Sequence, residues 1–242
     1  MSNPDPTVTS TNEPLRASSL LGNLFPNGVA AFEARSPVAA ETLYEQERRS
    51  IQRAAPKRAA EFATGRACAR RALATLGITG FALRVGPDRE PLWPAGMTGS
   101  ITHTTGFCGA VVARRTLCES LGVDAERRDA VHRGLWRQIA TAAELQWLEG
   151  LSPIHAAEMA TLVFSAKEAF FKCQFPLTRE WLNFSDVSVS VQPPYLHVTP
   201  CRALAVARFA SSPWEGRCAV EDAWAVTGFW LAALSSSSTP AD

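Results

Sequence analysis

Asp124 and Glu126 stand two residues apart in GVDAERR, and on an extended strand that spacing points both carboxylates to one face. Oxygens paired in this way can hold magnesium, which takes one or two carboxylates and completes its octahedron with water and phosphate oxygens. Glu168 and Lys172 stand four apart in FSAKEAFFK, with Lys167 beside them, and four-residue spacing on a helix shares a face. A carboxylate with two lysines can join a metal site, act as general base and neutralise a pyrophosphate. A third segment carries Arg58, Arg66 and Arg70, followed by Ser100, Thr102 and His103. Arginine forks and hydroxyls suit phosphate monoesters. Each cluster also has an inert reading: a solvated strand end beside Arg127 and Arg128, an i,i+4 salt bridge, a solvated basic helix face, a structural histidine.

The elements that must position these groups follow from the pattern of apolar residues. Residues 39–76 read as helical with a break at Pro56, and Gly77 ends the second helix. On that helix Phe62, Ala69, Leu73 and Leu76 form a buried stripe. A Gly/Pro-rich passage, VGPDREPLWPAGMTGS, leads into ITHTTGFCGAVVARR, which reads as a buried strand, and Leu121 to Glu126 follows as another. A helix is expected around Trp136 to Trp147, a further one opens at Ser152-Pro153 and runs through Phe171, and the remainder alternates like strands. TTGFCGAVVA echoes VTGFWLAALS, and FATGRACARRAL echoes FSAKEAFFKCQF. Two related halves with a site between them would suit that pattern.

Composition narrows the class. With 46% apolar and 19% charged residues, the chain can bury one core or two packed subdomains of about a hundred residues each. Residues 1–17 and 235–242 are polar and read as disordered tails. The expected division is an N-terminal half over 18–117 and a C-terminal half over 118–234. The net charge of +1 gives no reason to expect nucleic acid or anionic membrane as partner. No apolar window approaches the roughly 18 residues of a membrane span, and no basic start precedes an apolar core, so a cytoplasmic protein is expected. The six cysteines contain no CxxC pair, which indicates reduced thiols and no zinc site.

Taken in order, the Arg-rich helix, WPxGxxGSITH, GVDxE and FSxKExxxK resemble the motifs of the Sfp-type 4′-phosphopantetheinyl transferases over Arg58 to Lys172. The helix GRACARRAL is similar to the branch that accompanies siderophore or other secondary metabolism. The resemblance implies an α+β fold, a pseudo-twofold monomer of two similar αβ halves with the active site in the cleft between them. It implies Mg²⁺-dependent transfer of the 4′-phosphopantetheine group from coenzyme A to a serine of an acyl, aryl or peptidyl carrier protein. By motif, Asp124, Glu126 and Glu168 would surround the metal, and Glu168 would also take the serine proton. Lys172 and Lys167 would face the pyrophosphate. Arg58 matches the family's arginine spacing to Arg66, and Arg66, Ser100 and His103 would hold the 3′-phosphate. Many relatives carry a basic residue where this chain has Val85, with Arg84 and Arg89 as possible substitutes. The segment from Leu135 to Trp147 lies where the family docks its carrier. A Mg²⁺-dependent nuclease or phosphodiesterase, and a non-catalytic module binding coenzyme A or a carrier, are the alternatives that the residues alone leave open.

Overall fold

The computed structural model describes residues 15–203 and 214–233. The first half runs β1 (Leu15–Ala17), α1 (Ser19–Gly22), β2 (Ala30–Ala34), α2 (Glu45–Arg48), α3 (Pro56–Thr75), β3 (Met97–Thr104) and β4 (Phe107–Arg114). The second runs β5 (Cys118–Arg127), α4 (Trp136–Ile139), α5 (Ala142–Glu149), α6 (Pro153–Thr178), β6 (Val187–Gln192), β7 (Tyr195–Pro200), β8 (Glu215–Glu221) and β9 (Trp224–Ala232). The strands form two antiparallel sheets, ordered β1-β2-β4-β3 and β5-β9-β8-β7-β6. The fold is therefore α+β, with one long helix packed on each sheet: α3 on the first, α6 on the second.

Proline opens both long helices, where its missing N–H costs nothing. Past the end of α3, Gly77 takes φ 85°, a left-handed value that glycine reaches without a Cβ penalty. The helix then buries Ala69 and Leu73 against β2 and β4, and Phe62 beside Leu43, Ile51 and Val85. The echoed segments also occupy matching places: the two helix motifs are α3 and α6, and the two strand motifs are β4 and β9, each paired to a strand at the boundary between the halves.

That boundary is a seam of side chains. β3 and β5 are the edge strands of their sheets and lie against each other. An edge strand leaves N–H groups unpaired, and here β3 hydroxyls satisfy them. Ser100 Oγ accepts the Val123 N–H (3.1 Å) and Thr102 Oγ1 accepts the Ala125 N–H (2.9 Å).

The structure differs from the sequence reading at several places. ITHTTGFCGAVVARR is two strands of a hairpin rather than one, because Gly106 supplies φ 76° at the turn. The segment ahead of Pro56 is broken into α2 and single 3₁₀ turns, and the expected Trp136–Trp147 helix is split at Ala140, whose extended backbone precedes the Thr141 cap of α5. Helix α6 continues past Phe171 to Thr178. Leu15–Ala17, expected as the end of a tail, is β1 and pairs with β2; the rest of both tail assignments lies outside the described residues.

Candidate active site

Alternation along β5 puts Gly122, Asp124 and Glu126 on the face that meets α6. A Cβ at Gly122 would stand 2.1 Å from the Ala169 carbonyl and 2.6 Å from the Cys173 nitrogen. Glycine here lets helix backbone lie directly on the strand, and that contact carries Glu168 and Lys172 over the two β5 carboxylates. Lys172 Nζ donates to Asp124 Oδ1 at 2.6 Å and to the Val123 carbonyl at 3.3 Å. Thr102 donates to the same Oδ1 and Thr104 donates to Glu126 Oε2, each at 3.3 Å.

The three carboxylates crowd one another. Burial pushes the Glu126 carboxyl up to about 7, helped by Asp124 and Glu168 and opposed by Thr104 and Lys172. Burial also raises Glu168, with Lys172 pulling down and Asp124 pushing up. Asp124 Oδ2 is buried with no hydrogen-bond partner. An unpartnered carboxylate oxygen among like charges is costly unless a cation reaches it. Among the described residues no group of three or more His, Cys, Asp or Glu is preassembled as a metal cage. The chemistry of the set, carboxylate oxygens with Asp124 Oδ2 left unpartnered, suits a hard cation such as magnesium, which completes its shell with water and phosphate oxygens.

Across the seam, α3 supplies the basic side. Arg58 Nη1 donates to His103 Nε2 at 2.5 Å and lies 3.5 Å from Glu61. His103 is open to the cleft, yet burial and then Arg58 hold its imidazole below the usual range, so it is neutral at physiological pH and accepts that bond. Arg66 is only 6% exposed; it lies over the Phe62 ring and donates to the Leu83 carbonyl. Burial lowers it to about 10, against the pull of Glu47 and with Arg58 and Arg70 adding to the fall, and it remains a cation at neutral pH. Arg70 leaves the site, pairing with Glu47 (2.6 Å) and the Thr42 carbonyl (3.1 Å).

Between the halves lies a cavity of about 530 Å³. Arg58, Arg66, Ser100, His103 and Lys172 line it, together with Arg89 and with Arg179, which the sequence reading did not assign. Of the two substitutes for the basic residue missing at Val85, Arg89 reaches the cavity wall and Arg84 does not. Arg179 carried no motif signal. A second cavity of about 420 Å³ takes in Glu168, Phe171, Trp181, Leu182 and Phe184, sharing Phe171 and Trp181 with the first. The closely spaced Phe171, Phe175 and Trp181 were the available signal for the aromatic wall of the first cavity, and their rings pack on one another at 5.2 to 5.4 Å.

Lys167 corrects the expected pairing of lysines. It is 4% exposed and gives its three N–H groups to Glu144 Oε2 (2.6 Å), the Ile139 carbonyl (2.9 Å) and the Phe184 carbonyl (2.8 Å). Adjacent helix positions point about 100° apart, so Lys167 faces the interior while Glu168 faces the cleft. Its charge is paired with Glu144, and all three N–H groups are taken, although the residue borders the second cavity beside Glu168.

Two family models match the chain: the 4′-phosphopantetheinyl transferase N-terminal domain over residues 46–113, and the 4′-phosphopantetheinyl transferase superfamily over residues 120–225. Among curated proteins, the 4′-phosphopantetheinyl transferase Svp of Streptomyces mobaraensis is 41% identical over 152 residues, 62% of each chain. The 4′-phosphopantetheinyl transferase PptT of Mycobacterium tuberculosis is 42% identical over 142 residues, 59% of this chain and 62% of PptT. The 4′-phosphopantetheinyl transferase Npt of Nocardia iowensis is 32% identical over 173 residues, 72% of this chain and 77% of Npt. The chain thus spans about three fifths of the length of Svp and PptT.

Proposed function

The chain belongs to the 4′-phosphopantetheinyl transferase superfamily, and from that premise we propose that it transfers the 4′-phosphopantetheine group of coenzyme A to a serine of an apo carrier protein. The observation that carries the reading is the buried, unpartnered Oδ2 of Asp124, set among Glu126, Glu168 and Lys172 beside a cation-lined cavity. Coenzyme A offers what that cavity wants: a 3′-phosphate for Arg66 and His103, with Arg58 holding His103, and a pyrophosphate for Lys172. The second cavity, on the other side of Phe171 and Trp181 and lined by both apolar and amide side chains, suits the pantetheine arm.

Asp124, Glu126 and Glu168 would hold magnesium. When bound, magnesium supplies positive charge against the pyrophosphate oxygens. The serine oxygen attacks the phosphorus that carries the pantetheine and forms the new P–O bond. Its proton passes to the Glu168 carboxylate, directly or through a water. The bond from that phosphorus to the bridging oxygen breaks, and adenosine 3′,5′-bisphosphate leaves with the electron pair. Lys172 offsets the charge that accumulates on the leaving group.

The cavity is built from both halves of a single chain, which supports action as a monomer. Six free cysteines fit the reducing cytoplasm, where coenzyme A is the donor at hand. A narrow cavity whose cations come from facing helices favours one small polyanion over the broad basic face that a nucleic acid needs, so nucleic acid and membrane are not proposed as partners. The retained acidic trio favours catalysis over a binding-only module.

Intact mass of an apo carrier incubated with the protein, coenzyme A and Mg²⁺, beside an EDTA control, tests the reading. A gain equal to one phosphopantetheine group, seen only with metal, is expected. No gain with acyl, aryl and peptidyl carriers alike would overturn it.

A further inference from the structure

At the mouth of the larger cavity the two halves are joined by an ion pair that takes no part in the chemistry above. Arg179, which follows the last residue of α6, points Nη1 at Glu90 Oε1 (2.6 Å) and Asp88 Oδ2 (3.4 Å) in the loop from Gly86 to Pro91. Its guanidinium also rests over the Phe175 ring at 5.5 Å, which holds it from the helix side.

The loop is folded around Glu90. The Glu90 carbonyl accepts the Gly86 N–H (2.8 Å), and Glu90 Oε2 accepts the Asp88 N–H (3.0 Å). A Cβ on Gly86 would stand 2.4 Å from the Glu90 carboxyl carbon, so glycine is what lets that side chain fold back. Arg89 has φ 69° and Arg179 φ 57°, left-handed values that cost a non-glycine residue energy and persist where the surroundings hold them. The Glu90 side chain is 13% exposed against 54% for Arg179, so the pair is screened less than one lying wholly in solvent. Arg89, between the two carboxylates in sequence, lines the cavity.

We propose that Glu90 and Arg179 form a latch across the cleft that positions the Gly86–Pro91 loop, so that Arg89 meets the nucleotide phosphates of coenzyme A. The proposal rests on the transferase reading. Glu90 and Arg179 are positioning residues acting through Arg89, and the latch is what turns two packed halves into a defined nucleotide site.

Calorimetric binding of coenzyme A to the full chain and its variants tests this. E90Q and R179Q should each weaken binding about fivefold, the order expected of a partly exposed ion pair, and R179K should keep most of the affinity. The E90Q/R179Q double variant should bind no more weakly than either single one. In an R89Q background, E90Q should have no further effect, an outcome that a general loosening of the fold would not produce. KM for coenzyme A should rise in step while kcat and KM for the carrier stay at parental values. Parental affinity in E90Q and R179Q, losses that multiply in the double variant, or an E90Q effect that survives R89Q would each overturn the latch. A parent chain that neither binds coenzyme A nor adds mass to a carrier would sink the transferase reading, whereas a fully active parent with indifferent variants would sink the latch alone.

Discussion

Lys167 and Lys172 differ by five positions on one helix and end in opposite surroundings. Lys172 is half-buried at the cleft beside Asp124, whereas Lys167 and Glu144 are each 3% exposed at the side chain and paired at 2.6 Å. Removing one member of a buried pair leaves the other charge without compensation. K167M should therefore destabilise the protein by about 3–5 kcal/mol, read as a fall in the urea midpoint, with the surviving folded fraction still able to bind coenzyme A. K172M should lose at least about 100-fold in transfer rate, the scale of removing one charge-stabilising donor, while its urea midpoint moves less than that of K167M. Equal effects of the two substitutions on both readouts would show that the lysines had been assigned wrongly. The spacing already separates Lys167 from Glu168, since neighbours on a helix do not share a face; motif matching alone groups them.

On the scale of elements, the placing of α6 on β5 depends on Gly122. A methyl group added there would stand 2.1 Å from the Ala169 carbonyl and 2.6 Å from the Cys173 nitrogen, so any side chain must push helix backbone away from the strand. Backbone cannot rotate aside as a side chain can. G122A should cost about 3 kcal/mol, at the upper end for an overpacked core, and should also move Glu168 and Lys172 off Asp124, lowering transfer beyond what lost stability explains. G150A is the control: its nearest atom is at 3.4 Å, and its thermal midpoint should reflect no more than about 0.5 kcal/mol. The two carboxylate spacings were readable as faces of a strand and a helix. That those faces meet was not, because the close approach depends on a glycine that no periodicity marks.

At the scale of the whole molecule, two sheets are held edge to edge by hydroxyls rather than by a continuous backbone ladder. Thr102 accepts the Ala125 N–H and donates to Asp124 Oδ1, so it joins the halves and steadies the acidic trio at once. T102V keeps the shape and removes both bonds; it should cost about 2 kcal/mol, the scale of leaving a buried amide unsatisfied. Hydrogen exchange should quicken at the Ala125 amide more than at amides in the middle of the second sheet, and uniform exchange across both would argue against a seam. Sequence by itself determined what is local: proline at the start of each long helix, glycine after α3, the shared faces of Asp124 with Glu126 and of Glu168 with Lys172, and the two echoed halves. All but the last of those follow from chain geometry over a few residues. Only the tertiary structure decided which faces confront each other. It turned Lys167 inward and Arg70 away from the cleft to Glu47, put the hydroxyls of Ser100 and Thr102 on β5 amides, and brought Arg89 and Arg179 to one cavity from loops about ninety residues apart. A periodic pattern defines a face, but burial and charge pairing between distant segments choose its partner.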